Sequence, residues 1–145
     1  MAEFTYNPVQ TVQPNQAVIF NTRIGCTKGY VYHRNESGIV ILRGIVNNAC
    51  AGFARYQVTF NGNIAVPTGG TAGPIAVALS IDGEAIQTST AIVTPAAVGD
   101  YFNVTSTAFI TVPKGCCFNI SVENVSEGSA AIDVQNANLV VSRTA

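Results

Sequence analysis

One histidine, four cysteines and eight acidic residues are the first candidates the chain offers for metal binding and proton transfer. His33 lies in "YVYHRNES" beside Arg34 with no ligand pattern around it, so it is expected on the surface, at the approach to a turn. Cys116 and Cys117 are adjacent, and in a strand consecutive side chains point to opposite faces. Cys116 is in phase with Phe118, Ile120 and Val122 and is expected as a core thiol, whereas Cys117 faces the other way with Asn119 and Ser121. A vicinal pair does not by itself make a tetrahedral zinc set, and the spacing to Cys26 and Cys50 matches no zinc pattern.

The nucleophile motifs are missing as well. There is no Gly-x-Ser-x-Gly and no Ser-x-x-Lys, and a single histidine leaves no convincing triad. "PTGGTAGP" is glycine-rich but lacks the Lys-Ser/Thr ending and following helix that phosphate cradling needs, so it reads as a loop. Asp82 and Glu84 flank a tight turn, and Asp100, Glu123, Glu127 and Asp133 are scattered, with no Asp-rich loop for calcium. The expectation is a protein that is not an enzyme, with no catalytic residue, no metal and no cofactor. Sequons at Asn35, Asn103, Asn119 and Asn124 are what an Asn-, Ser- and Thr-rich β chain contains by chance.

The elements that position these residues are strands. At 145 residues the chain suits one domain, able to bury roughly 68–70% of its unfolded surface. Charged residues make up only 10%, against about 25% in typical soluble domains. The stretch "ARYQVTFNGNIAVPTGGTAGPIAVALSIDGEAI", Ala54 to Ile86, holds one cation and no acid before Asp82. Mean hydropathy is +0.30, yet no apolar run nears the ~20 residues of a spanning helix, so no membrane partner is expected. The net charge of −1, spread singly, gives no basic stripe and argues against nucleic acid. "MAEFTYNPVQTVQPNQ" has neither a basic nor an apolar signal region, so the chain is expected to be made in the cytosol or to have lost its signal, and the first favours free thiols over two disulfides in any of three pairings.

Period-two alternation between turn residues runs along the whole chain. In "RYQVTFNGN" Tyr56, Val58 and Phe60 share one face and Gln57, Thr59 and Asn61 the other, the half-buried pattern of an antiparallel sheet. Ile75, Val77, Leu79 and Ile81 alternate with the small Ala76, Ala78 and Ser80. Asp82-Gly83 suits a type I′ hairpin turn, because both residues tolerate positive φ. Further breaks fall at Pro113-Lys114-Gly115 and Glu127-Gly128-Ser129. Seven to ten short strands without helices predict an all-β sandwich or jelly roll.

The order "QAVIFNT", a glycine-flanked apolar strand, "ARYQVTFNGNIAV", "SIDGEAI", "ITVPKGCCFNISVENVS" and "IDVQNANLVVSR" resembles the C1q/TNF-like jelly-roll domain of the bacterial and bacteriophage type. It is similar to the C-terminal domains of Firmicute collagen-like and exosporium proteins, over Val18 to Arg143. The resemblance implies about ten antiparallel strands in a homotrimer whose inner sheets meet around a threefold axis. It places Tyr56, Phe60, Tyr101, Phe109 and Leu139 at or near that contact. The missing charge is then largely interface. No Gly-X-Y stalk is present.

Residues 1–16 read as an extended arm ahead of a jelly-roll domain at 17–145. Pro8 and Pro14 restrict its backbone, and Phe4, Tyr6, Val9 and Val12 offer apolar contacts for docking, unless the segment is the first strand of the sandwich. This favours a structural phage or prophage virion protein, a capsid decoration or fibre-head trimer held in a larger assembly such as a capsid. The alternative is a bacterial cell- or spore-surface recognition module that binds a glycan or protein.

Overall fold

The computed structural model describes residues 2–24, 30–34, 36–44 and 52–144; Cys26, Cys50 and the sequon at Asn35 lie outside them. The strands are β1 Ala2–Tyr6, β2 Gln10–Val12, β3 Thr22–Ile24, β4 Val31–His33, β5 Val40–Arg43, β6 Phe53–Ala65, β7 Ile75–Ile81, β8 Glu84–Ala85, β9 Ala91–Val93, β10 Phe102–Pro113, β11 Cys117–Asn124 and β12 Ile132–Arg143. Among the described residues helix is confined to the single 3-10 turns Gln87–Ser89 and Glu127–Ser129. The first sheet runs β10-β6-β12-β1-β3, with β2 also on β12, and the second runs β4-β5-β11-β7-β8, with β9 also on β7. Every pairing is antiparallel.

The two sheets face each other across one apolar layer, as expected of a sandwich. β6 contributes Ala54, Tyr56, Val58, Phe60 and Ile64 to it from alternate positions, and β12 contributes Ile132, Val134, Leu139 and Val141. β12 does not alternate strictly. Its register against β6 shifts between Gln135 and Asn138, and Asn136 takes a φ of 56° there. This bulge inserts one residue, so Leu139 turns inward where strict alternation from Val134 would turn it out. From the second sheet come Val31, Val40, Leu42, Ile75, Val77, Leu79, Ile120 and Val122. The small alternates Ala76, Ala78 and Ser80 are buried too, so β7 is covered on both faces.

Two turns behave as their residues require. Asp82 and Gly83 have φ of 51° and 85°, the positive values of a type I′ hairpin, between β7 and β8. At the other strand ends Gly44 lies so close to the β10–β11 turn that a Cβ there would sit 2.2 Å from the Pro113 carbonyl oxygen.

The expected arm is part of the sandwich. β1 pairs along its length with β12 and also with β3, β2 pairs with β12, and Phe4 and Val12 are buried in the core. Tyr6 is half-buried and only Val9 projects to solvent. The division into an arm at 1–16 and a domain at 17–145 therefore does not hold. Alternating apolar residues at 2, 4 and 6 fill the inner face of a strand, which satisfies their backbone groups better than a strap on a neighbour.

Candidate functional site

The outward face of the first sheet is a broad platform. From β10 it presents Asn103, Thr105, Thr107 and Phe109; from β6, Arg55, Gln57, Thr59, Asn61 and Asn63. From β12 and β1 come Asp133, Gln135, Asn138, Val140, Glu3 and Thr5. Some of its polar groups bind one another. Thr59 and Thr107 share a 2.9 Å hydroxyl bond, and the Asn103 amide donates to Asn61 at 2.8 Å and Asn63 at 3.2 Å. Its charges are engaged as well. Asn138 donates to Glu3 at 2.8 Å, Thr11 donates to Asp133 at 2.7 Å, and the Arg55 guanidinium lies over the Phe109 ring at 5.0 Å. Phe109, Phe53 and Ile24 stand out from this face, each about half exposed.

The structure separates the five residues expected at the threefold contact. Tyr56, Phe60 and Leu139 are wholly buried between the sheets, so they cannot meet another chain. The face that alternation marks on β6 is the sandwich core, and the β12 bulge carries Leu139 to the same side. Tyr101 and Phe109 are exposed, but Tyr101 precedes β10 at one end while Phe109 pairs with Gln57 towards the other. Roughly 26 Å of strand lies between them.

His33 and Cys116 are also relocated. The imidazole is buried, tilted against Phe4 with centroids 4.9 Å apart, and its Nε2 donates to the Ser37 carbonyl at 2.8 Å. Cys116 and Cys117 are both exposed free thiols, because Cys116 belongs to the turn ahead of β11 and loses the strand's phase. Among the described residues no three His, Cys, Asp or Glu side chains come together to hold a metal.

Arg43, Arg55, Lys114 and Arg143 gather at one end of the sandwich, where β5, β10 and β12 finish and β6 starts, and Asp82 and Glu84 leave β7 towards the same end. At the basic end Arg143 stacks on the Tyr30 ring at 4.4 Å. Burial pushes the Tyr56 phenol above its ordinary range, with the nearby Arg143 cation opposing the shift. Burial and the Asp133 carboxylate raise Tyr101.

Two recesses lie on the second sheet. A cleft of about 450 Å³ sits where β7 meets β9, beside Pro74, Ile92 and Glu127. A groove of about 280 Å³ crosses the outward face between Ile39 and the Asp82–Gly83 turn, lined also by Asn119, Ser121 and Glu123.

No family model matches the chain. No curated protein matches its sequence. Among solved structures, the globular domain of zebrafish complement 1qA superposes with a TM-score of 0.55 at 13% identity, covering 96% of this chain and 94% of that one. The sugar-binding C-terminal domain of EclA gives 0.37 at 18% identity over 81% and 87%, and a cyclase from Fischerella sp. TAU gives 0.38 at 13% identity over 98% and 90%. Scores at that level say nothing about chemistry. The zebrafish comparison, together with two antiparallel sheets around one core, makes this chain a C1q-like jelly roll.

Proposed function

We propose that the protein is a non-enzymatic structural and binding module that works as a homotrimer, with the outward face of its first sheet turned to its neighbours. The observation that carries this reading is the state of that face. Thr59 with Thr107, Asn103 with Asn61 and Asn63, and Asn138 with Glu3 are paired within it, its three charges are engaged, and Phe109 stands exposed beside them. Those paired groups lose little on desolvation, since their hydrogen bonds survive burial, and the face gains from covering an aromatic anchor. The setting we propose is the outside of a virion of the bacteriophage type, as capsid decoration or fibre head. With β1 and β2 in the sheet, attachment to the shell falls to the head's own surface.

Light scattering tests the trimer directly: the expected mass is three times the 15.1 kDa of one chain, and a monomer at micromolar concentration would end the reading. Electron microscopy of particles with and without the protein tests the virion setting. The groove on the second sheet favours a second reading, a cell- or spore-surface recognition module, because that face stays outward when the first sheet is covered.

A further inference from the structure

We infer that the groove on the outward face of the second sheet binds an uncharged oligosaccharide. The proposal rests on the recognition reading and does not require the trimer. The groove runs along the outward side of β11, where Asn119, Ser121 and Glu123 line it together with Ala17, which is bridged to Glu123. The Ser121 hydroxyl is satisfied by the buried Ser80 hydroxyl at 2.5 Å. The small Ser121 and Ala17 keep the floor low, with Ile39 and the Asp82–Gly83 turn on its borders.

The groups along the rim are polar and unspent. Asp82 accepts one hydrogen bond, from the Asn119 backbone N–H at 3.0 Å, which fixes the carboxylate and leaves most of its roughly four acceptor sites open. Among the described residues, the side chains of Asn15, Asn119 and Glu123 make no hydrogen bond. Donors and acceptors mixed in this way match the hydroxyls of a sugar, each of which both gives and takes a hydrogen bond.

An apolar strip lies beside them. Asn119 pairs with Ile41, and Ile41 with Tyr32, so these three occupy one row across β11, β5 and β4. Tyr32 is 53% exposed and lies two strand spacings from Asn119, roughly 10 Å. One sugar in the groove and the next over Tyr32 would each place C–H faces on apolar atoms and hydroxyls on polar ones, the division that ligand sites use. The groove lining holds two carboxylates, Asp82 and Glu123, and no cation, so uronic and sialic acids are repelled. A groove this open binds weakly per site, and several copies on one assembly supply avidity.

The full chain is screened against immobilised oligosaccharides of glucose, mannose, galactose and N-acetylhexosamines, with uronate and sialylated ones alongside. The best binder is then titrated free in solution, where avidity plays no part. The expected result is binding of neutral sugars alone, weakened about tenfold or more, or roughly 1.4 kcal/mol, by Tyr32→Ala and by Glu123→Gln at unchanged melting temperature, and unaffected by Phe109→Ala on the other sheet. Binding of a neutral sugar that neither groove variant weakens overturns this site and leaves the recognition reading standing. Binding of none, or only of acidic sugars, overturns the proposal itself, and in the first case glycan recognition with it.

Discussion

The Tyr56 hydroxyl donates to the Arg43 carbonyl across 2.5 Å, tying β6 of the first sheet to the end of β5 in the second. It also leans towards the Tyr30 carbonyl at 3.4 Å, and Arg143 covers the Tyr30 ring at 4.4 Å. One phenol thus closes the basic end of the sandwich, beside the contact of Arg143 with the Tyr30 ring. That explains why the largest fully buried side chain is a tyrosine and not a phenylalanine.

Tyr56→Phe removes this tie and is expected to cost roughly 0.5–1.5 kcal/mol in urea denaturation at neutral pH. It should also change the alkaline limb. Because the folded phenol holds its proton above the ordinary value of 10.0, the unfolded chain releases that proton first as pH rises, and stability falls from about pH 10 upward. The variant should lose part of this fall. Tyr101 is raised in the same direction and contributes to what remains. An unchanged alkaline limb in the variant would show that the phenol is not held protonated.

Deleting residues 2–12 removes β1 and β2 and uncovers one edge of β12, so a large loss of stability is expected, with Phe4→Ala alone costing about 3–5 kcal/mol. A truncated protein that melts within a few degrees of the full chain would restore the segment as a detachable arm.

What alternation and turn chemistry determine locally was legible in the sequence. Tyr56, Val58 and Phe60 are buried in phase, and Asp82-Gly83 makes its hairpin. What depends on distant pairing was not. His33 is buried by Phe4, 29 positions away, and the outward groove needs Ala17 brought beside Glu123, 106 positions away. The single residue inserted in β12, which sets the side that Leu139 faces, leaves no local signal, and the turn at 114–115 takes Cys116 out of the phase of its strand. The inner face of β6 was legible as a buried face; which partner buries it was not, since a core and an interface ask for the same residues.

Cys116→Ser and Cys117→Ser should each shift stability by no more than about 0.5 kcal/mol, since both thiols are exposed and neither fills the apolar layer. The alternation of the strand alone would have made Cys116 the costlier change. Chemical denaturation of the two variants side by side decides it, and a loss of 2 kcal/mol or more at Cys116 would return that side chain to the core.

Gly44→Ala should destabilise far more than an exposed loop change. The added methyl would meet the Pro113 carbonyl at 2.2 Å, and this neighbour is backbone that no side-chain rotation can clear. The Gly44 N–H also bonds the Cys116 carbonyl at 2.9 Å, so moving either segment breaks the closure of the β10–β11 turn. Overpacking of this kind costs typically 1–3 kcal/mol, and a variant as stable as the parent would mean the two segments are free to part.

Phe109→Glu and Phe60→Ala should separate assembly from folding. Phe109 is 56% exposed on the outward face, so in one isolated chain its replacement is a surface change worth about 0.5 kcal/mol or less. In the trimer it would bury that carboxylate, beside the Arg55 guanidinium, within the covered face, a desolvation cost that disfavours association, and the mass by light scattering should fall to 15.1 kDa with the circular dichroism intact. Phe60 is fully buried, and truncating it opens a cavity worth about 3–5 kcal/mol in the fold of each chain. Its variant should therefore melt early whatever its oligomeric state. If the Phe109 variant remains a trimer, the outward face of the first sheet is not the contact, and the proposed assembly must use another surface.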